Sequence, residues 1–212
     1  MRIAVYPGSF NPLHIGHLAI MQYLTKERDY FDWVYLVISP KNPIKNIAPA
    51  TAMDRYRDAV EAVKRHPDLH VWVEDIEIHM PPPQYTINTL DALKRREPEN
   101  ELKLVIGADN LENIHRWRNF QRILTEYGVV VYPRKGYDLA TMKKQLIEEC
   151  KHLPVPYVLD ESEITAEGMR SLEETLQRTY NIRIIDAPIV DISSTEIRMG
   201  QAAGRDMSEW LM

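Results

Sequence analysis

Arg2-Ile3-Ala4-Val5-Tyr6-Pro7-Gly8-Ser9-Phe10-Asn11-Pro12-Leu13-His14-Ile15-Gly16-His17 opens the chain. Arg2 to Tyr6 is a short apolar strand that stops at Pro7-Gly8. From Ile15 to about Glu27, Leu18, Ala19, Met21, Gln22 and Leu24 recur at helical spacing. A strand, a Gly-Ser turn and a helix in that order aim backbone N–H groups at one point, where the helix dipole is positive. Such a point receives an anion. His14 and His17 stand three residues apart at the helix entrance, a spacing that sets both rings on one side. Two imidazoles there can donate to phosphate oxygens, or carry charge when a phosphate protonates them. Gly16 between them leaves room for close approach.

Outward from this stretch, apolar runs alternate with helical patterns. Trp33 to Ile38 is continuously apolar, as in a strand buried on both faces. Ser39 to Ala50, with three prolines and two lysines, reads as a loop, and Thr51 to Arg65 as a helix ended before Pro67. Val71 to Ile78 alternates as a strand and Met80-Pro81-Pro82-Pro83 breaks it. Thr86 to Arg96 is helical. Leu102 to Ile106 is a strand ending at Gly107-Ala108-Asp109. Phe120 to Glu126 is a short helix, Gly128 to Tyr132 a buried strand, Leu139 to Lys151 a helix, and Ile182 to Ile185 a late strand. Strands alternating with helices specify an α/β fold, a Rossmann-like doubly wound parallel sheet with helices on both faces. Ligands of such sheets bind at the carboxyl ends of the strands. Gly8, Ser9, Lys45, Gly107, Asp109 and Arg134 all fall there.

Composition bounds the rest. The 212 residues fit a single domain over 1–212, with an embellishment at about 152–181 that carries no assignable chemistry. Hydrophobic residues are 44% and charged residues 27%, enough apolar material for one core. A net charge of −5 argues against a nucleic-acid partner, which asks for a basic face. Cys150 is the sole cysteine, which excludes an intrachain disulfide and a Cys-rich zinc site. No apolar run reaches the roughly 20 residues of a membrane span. The strand pattern begins at once, without a signal segment, so a cytoplasmic location is expected.

A second segment complements the first. Ile192-Ser193-Ser194-Thr195-Glu196-Ile197-Arg198 offers hydroxyl caps and a guanidinium where a helix starts. Alone it reads as an ordinary capped helix; together with His14 and His17 it reads as phosphate-holding equipment. Thr86 and Asp109 also suit helix caps. The glycine spacing of a dinucleotide loop and the Gly-Lys-Ser/Thr of a Walker loop are both absent. A zinc site on the two histidines lacks an evident third ligand.

Gly-Ser-Phe-Asn-Pro-x-His-x-Gly-His followed by Ile-Ser-Ser-Thr-x-Ile-Arg resembles the nucleotidyltransferase superfamily, and within it the bacterial nicotinate-nucleotide adenylyltransferases. The resemblance spans Arg2 to Arg198, with a gap over about 152 to 181. It implies transfer of AMP from ATP to nicotinate mononucleotide in NAD biosynthesis, giving deamido-NAD and pyrophosphate, with Mg²⁺ bound mainly through the ATP phosphates. It implies catalytic roles for His14 and His17. Gly8, Ser9, Phe10, Gly107, Asp109, Ser194, Thr195 and Arg198 are implied to bind ATP and its phosphates. Lys45, Tyr85, Thr86, Thr89, Trp117 and Arg134 are implied for the mononucleotide, with the indole of Trp117 stacking on the pyridine ring. Pro7, Ile44 and Asn88 depart from the family's usual Gly, His and acidic residue. Related adenylyltransferases with nicotinamide mononucleotide or phosphopantetheine as acceptor share the first motif, and a non-catalytic nucleotide sensor could share the fold. A homo-oligomer is compatible with the sequence.

Overall fold

The computed structural model describes residues 1–27, 30–40, 51–150, 153 and 180–212. Lys45 and nearly all of the expected embellishment at 152–181 lie outside the described residues.

Six strands form one parallel sheet: β1 (Arg2–Gly8), β2 (Trp33–Ile38), β3 (Val71–Glu74), β4 (Glu101–Gly107), β5 (Val129–Tyr132) and β6 (Ile182–Ile184). Their order across the sheet is β3-β2-β1-β4-β5-β6. Every pairing is parallel, as in Ile3 beside Trp33 and Ile3 beside Leu102. The order reverses between β1 and β4. That places a crevice beyond Gly8 and Gly107, where ligands of doubly wound sheets bind.

The sheet is apolar on both faces because successive strand residues point opposite ways. Ile3, Val5, Leu104, Ile106, Val129 and Val131 pack on one side. They meet Ile87, Leu90 and Leu93 of α4 (Thr86–Arg96) and Leu146, Ile147 and Cys150 of α7 (Leu139–Cys150). Ala4, Tyr6, Val34, Leu36, Val105 and Val130 pack on the other. They meet Ile20 and Met21 of α1 (Ile15–Gln22) and Ala59 and Ala62 of α2 (Ala52–Lys64). Two opposed cores explain why the strands read as continuous apolar runs.

Three boundaries differ from the sequence reading. The strand expected over 71–78 stops at Glu74, and one helical turn, α3 (Ile76–His79), follows. The buried Glu74 carboxylate ends it: Oε1 accepts from the Ile76 N–H at 3.2 Å and Oε2 from Arg96 at 2.6 Å. The helix from Ile15 keeps regular geometry only to Gln22, then widens into a π turn, Tyr23–Glu27. The helix from Phe120 does the same: α6 (Phe120–Arg122) gives way to a π turn, Ile123–Tyr127. In each wide turn a threonine hydroxyl donates to the carbonyl four residues back, Thr25 to Met21 at 2.8 Å and Thr125 to Gln121 at 2.9 Å. A side chain competing for that carbonyl loosens the ladder.

Candidate active site

The loop after β1 carries the first motif. Phe10 sits in the left-handed region at φ 42°, held by edge-on contacts of its ring with Tyr6 and His17 at 5.4 and 5.0 Å. A non-glycine residue there stores strain that its surroundings must offset. Behind the loop, Arg55 of α2 is buried at 5% exposure and donates to the Ser9 carbonyl and, at 3.1 Å, to the Pro40 carbonyl. It ties together the segments that leave β1 and β2. No carboxylate pairs with it among the described residues, and burial pulls its pKa down.

The two histidines cap α1 with their own rings. Nδ1 of His14 accepts from the Gly16 N–H and Nδ1 of His17 accepts from the His14 N–H, each at 3.2 Å. The ring centroids are 3.7 Å apart. The free N–H groups expected at this helix start are thus partly taken by imidazole. The consequence is a fixed tautomer. With Nδ1 accepting, each neutral ring carries its proton on Nε2, and both rings line the same cavity. Gly16 permits the cap, since a Cβ there would lie 3.0 Å from the His14 ring. Both rings stay neutral at neutral pH. Burial, then Arg134, pulls His14 down to about 4. Burial, then His14 and Arg134, holds His17 well below its ordinary value. The structure favours neutral donors over the charged imidazoles that the sequence also allowed.

This has a measurable effect on stability. Above pH 6.5 His14 is neutral in both the folded and the unfolded chain and contributes nothing. As pH falls from 6.5 toward 4, the unfolded chain takes up a proton that the folded chain refuses, so stability is lost. At pH 5 the loss from His14 is about 2 kcal/mol. His14→Asn keeps a capping acceptor but removes the titration. Urea midpoints at pH 7 and pH 5 should fall further in the wild-type chain than in His14→Asn; equal falls would contradict the assignment.

The cavity has a volume of about 350 Å³ and is walled by four segments. Tyr6, His14, Gly16 and His17 come from the first motif, and Asp109 from the turn after β4. Tyr132 ends β5 and Arg134, Lys135 and Tyr137 follow it, and Pro188 to Ser193 with Glu196 close the far side. Arg134 Nε and Asp109 Oδ1 are 2.8 Å apart but misaligned, so neither buried atom completes a hydrogen bond. Burial opposes the Arg134 charge, but Tyr132 and Asp109 more than offset it and hold its pKa up. Gly107 leaves room for this pair: a Cβ there would lie 2.5 Å from Asp109 Oδ1 and 2.9 Å from Arg134 Nε, so both side chains would have to shift.

The second motif reaches the first directly. Ser193 caps α8 (Ser194–Ala202), its hydroxyl accepting from the Glu196 N–H at 3.2 Å. Ser194 Oγ donates to the Pro12 carbonyl at 3.0 Å. Arg198 donates to the Asn11 carbonyl through Nη1 and to Thr195 Oγ1 through Nη2, the latter at 3.1 Å. The serine and arginine brace the histidine loop across more than 180 residues of sequence.

The residues expected around the mononucleotide are less gathered. Arg134 lines the cavity; Tyr85, Thr86, Thr89 and Trp117 stand outside its wall. Tyr85 is 38% exposed under the Arg118 guanidinium. Trp117 is partly buried against the core. Thr89 is buried, its hydroxyl donating to Glu77 at 2.7 Å. Neither Thr86 nor Asp109 is a helix cap. Tyr85 and Gly107 hold the cap positions of α4 and α5 (Ala108–Leu111), and no side chain caps either helix. The Asn88 N–H bonds the Tyr85 carbonyl at 2.9 Å, and the Thr86 and Ile87 N–H groups remain available.

Sequence reasoning missed Arg55, Tyr6, Tyr132 and Glu77. Arg55 left a signal. It occupies the core-facing stripe of α2 with Ala59 and Ala62, where a solvated arginine has no place. Glu77 was read as part of a strand. Here its carboxyl is buried, which raises its pKa against the hydrogen bonds from Ser39 and Thr89.

Comparison with known proteins agrees with this arrangement. The family model described as cytidylyltransferase-like matches residues 5–200. A probable nicotinate-nucleotide adenylyltransferase of Bacteroides fragilis (strain YCH46) is 34% identical over 211 residues, covering 99% of this chain and 87% of the relative. Its namesake in Flavobacterium psychrophilum is 36% identical over 201 residues, covering 93% and 85%. Among solved structures, the Plasmodium falciparum nicotinic acid mononucleotide adenylyltransferase complexed with NaAD matches with a TM-score of 0.67 at 18% identity, covering 98% of this chain and 87% of that one. At that identity the likeness shows a shared fold. The two-face sheet, the histidine loop and the arginine brace thus belong to a nucleotidyltransferase, and the chain is a member of the cytidylyltransferase-like family among the nicotinate-nucleotide adenylyltransferases.

Proposed function

We propose that the cavity binds ATP with its α-phosphate at His14 and His17, and that the enzyme transfers AMP from it to nicotinate mononucleotide. One observation carries the reading. Two neutral imidazoles, each locked with Nδ1 accepting, present Nε2–H donors beside a guanidinium. The 5′-phosphate of the mononucleotide is the nucleophile. One of its oxygens forms a bond to the α-phosphorus as the bond from that phosphorus to the bridging oxygen of pyrophosphate breaks. The attacking group is already an anion, so no general base is needed. The work left for the protein is alignment and charge stabilisation. The imidazoles donate through Nε2–H to the α-phosphate as charge builds. Arg134 adds positive charge on the same wall. Ser194 and Arg198 keep the histidine loop in register, with Thr195 holding Arg198; none of the three lines the cavity wall, and the family resemblance assigns them to the leaving pyrophosphate.

Mg²⁺ fits this site as an ion carried by the nucleotide. Among the described residues no three His, Cys, Asp or Glu side chains cluster as a cage, and Asp109 offers one carboxylate oxygen without an aligned partner. An ion held mostly by phosphate oxygens and water suits that donor set. When bound, it supplies charge neutralisation on the phosphates. The uncapped N–H groups of α4 support recognition of the acceptor's carboxylate near Tyr85 and Thr86. Pyrophosphate release tests the acceptor. With ATP and Mg²⁺, release is expected with nicotinate mononucleotide and to be much slower with nicotinamide mononucleotide or phosphopantetheine. Release with phosphopantetheine alone would reassign the substrate. ATP binding without release from any acceptor would mark a sensor.

A further inference from the structure

Two tyrosine hydroxyls meet at the floor of the cavity, and their hydrogens do not balance. Tyr6 Oη and Tyr132 Oη are 3.3 Å apart, with Tyr6 donating. Arg134 Nη2 donates to the same Tyr132 oxygen at 3.2 Å. With Tyr6 donating, Tyr132 receives two donors and spends none, and no described residue accepts its proton; the reverse orientation would only move the stranded proton to Tyr6. Both tyrosines are nearly inaccessible, Tyr6 at 3% and Tyr132 at 8%, yet both line the cavity. A buried hydroxyl proton without an acceptor is costly unless something else accepts it.

We propose that the Tyr132 hydroxyl is a further substrate-binding group, donating a hydrogen bond to an anionic phosphate oxygen of the nucleotide. The proposal rests on the nucleotide reading above. The surroundings choose the partner. With two donors already arriving at its oxygen, Tyr132 can only donate, so the ligand atom must accept. The Arg134 guanidinium and the Nε2–H groups of His14 and His17 share the cavity; of its carboxylates, Asp109 lies against Arg134, Asp191 pairs with Lys135 and Glu196 accepts from Ser193, so the unspent donors beside Tyr132 suit an anion. Tyr6 orients the hydroxyl by supplying its proton to Tyr132 instead of competing for the ligand. Burial holds the Tyr6 pKa far up, so it remains a donor at every working pH.

Tyr132→Phe keeps the ring, its place under Arg134 and its edge contact with Tyr6. Titration of the whole chain with ATP and with adenosine separates a phosphate contact from a packing role. The expected result is about 10- to 100-fold weaker ATP binding, the range for a lost hydrogen bond to a charged group. Adenosine binding should be unchanged within twofold. Tyr6→Phe should weaken ATP binding less than about fivefold, because Tyr132 keeps its proton. ATP binding by Tyr132→Phe within twofold of wild type would overturn the proposal. So would equal losses for ATP and adenosine, or a Tyr6→Phe effect larger than that of Tyr132→Phe. A wild-type chain that does not bind ATP would overturn the nucleotide reading and this role with it; an indifferent variant in an ATP-binding chain overturns this role alone.

Discussion

Replacing His17 by alanine should lower kcat by about 10²–10³-fold, the cost of removing one preorganised donor to a developing anion. The geometry makes His17 hard to replace. Its Nδ1 is held by the His14 N–H, its ring lies 3.7 Å from that of His14, and Phe10 touches it edge-on at 5.0 Å. The ring therefore presents Nε2–H without reorganising, and that is where the rate advantage arises. The loss should fall on kcat more than on the KM for ATP, because the contact strengthens as charge builds on the α-phosphate. His17→Asn should recover little, since its shorter amide cannot reach the same point. Steady-state pyrophosphate release, read beside the thermal midpoint, checks this. A His17→Ala enzyme within tenfold of wild-type kcat would remove the imidazole from the mechanism.

Arg198→Ala should cost about 10- to 100-fold in kcat/KM. Here the effect runs through the loop. Arg198 holds the Asn11 carbonyl and the Thr195 hydroxyl, and Ser194 beside it holds the Pro12 carbonyl. Hydrogen bonds to a charged group are worth about 1.5–3 kcal/mol each, which sets the range. Without the guanidinium the loop from Asn11 to Leu13 loses its brace, and the His14 and His17 rings lose their angle to the cavity. Arg198→Lys should recover only part of the loss, since a lysine is a point charge that does not reproduce the planar fork. Recovery of full activity by lysine would show that charge alone matters there; an unimpaired alanine variant would show that the brace does not.

Much of the fold was legible because a doubly wound sheet writes itself as apolar runs. Val34 to Ile38 and Val129 to Tyr132 are buried on both faces, and no solvent-facing alternation obscures them. Boundaries were less legible because side chains far along the chain set them. Glu74 ends β3 with help from Arg96, and nothing in Val71 to Ile78 announces that partner. Thr25 and Thr125 widen their helices by bonding backwards, an event that helical spacing does not record.

In the site, His14 and His17 were legible because short spacing fixes their common face. Their protonation was not. It follows from burial and from Arg134, which arrives from the end of β5, two strands away from β1. The joining of Arg198 to Asn11 matches the pairing of the two motifs, while the identity of the accepting carbonyl is a product of the fold. Tyr132 and Arg55 looked like the end of a strand and a residue of a helix. Only the packed structure shows a hydroxyl proton without an acceptor and a buried cation gripping the turn behind it.

AMP transfer to a pyridine mononucleotide is tested most directly by following the α-phosphorus. ATP labelled at the α-phosphate is incubated with the enzyme, Mg²⁺ and nicotinate mononucleotide, and the products are separated. Label is expected in deamido-NAD, with unlabelled pyrophosphate formed in equal amount. Label remaining in ATP, or released only as free AMP while nicotinate mononucleotide is unchanged, would contradict it.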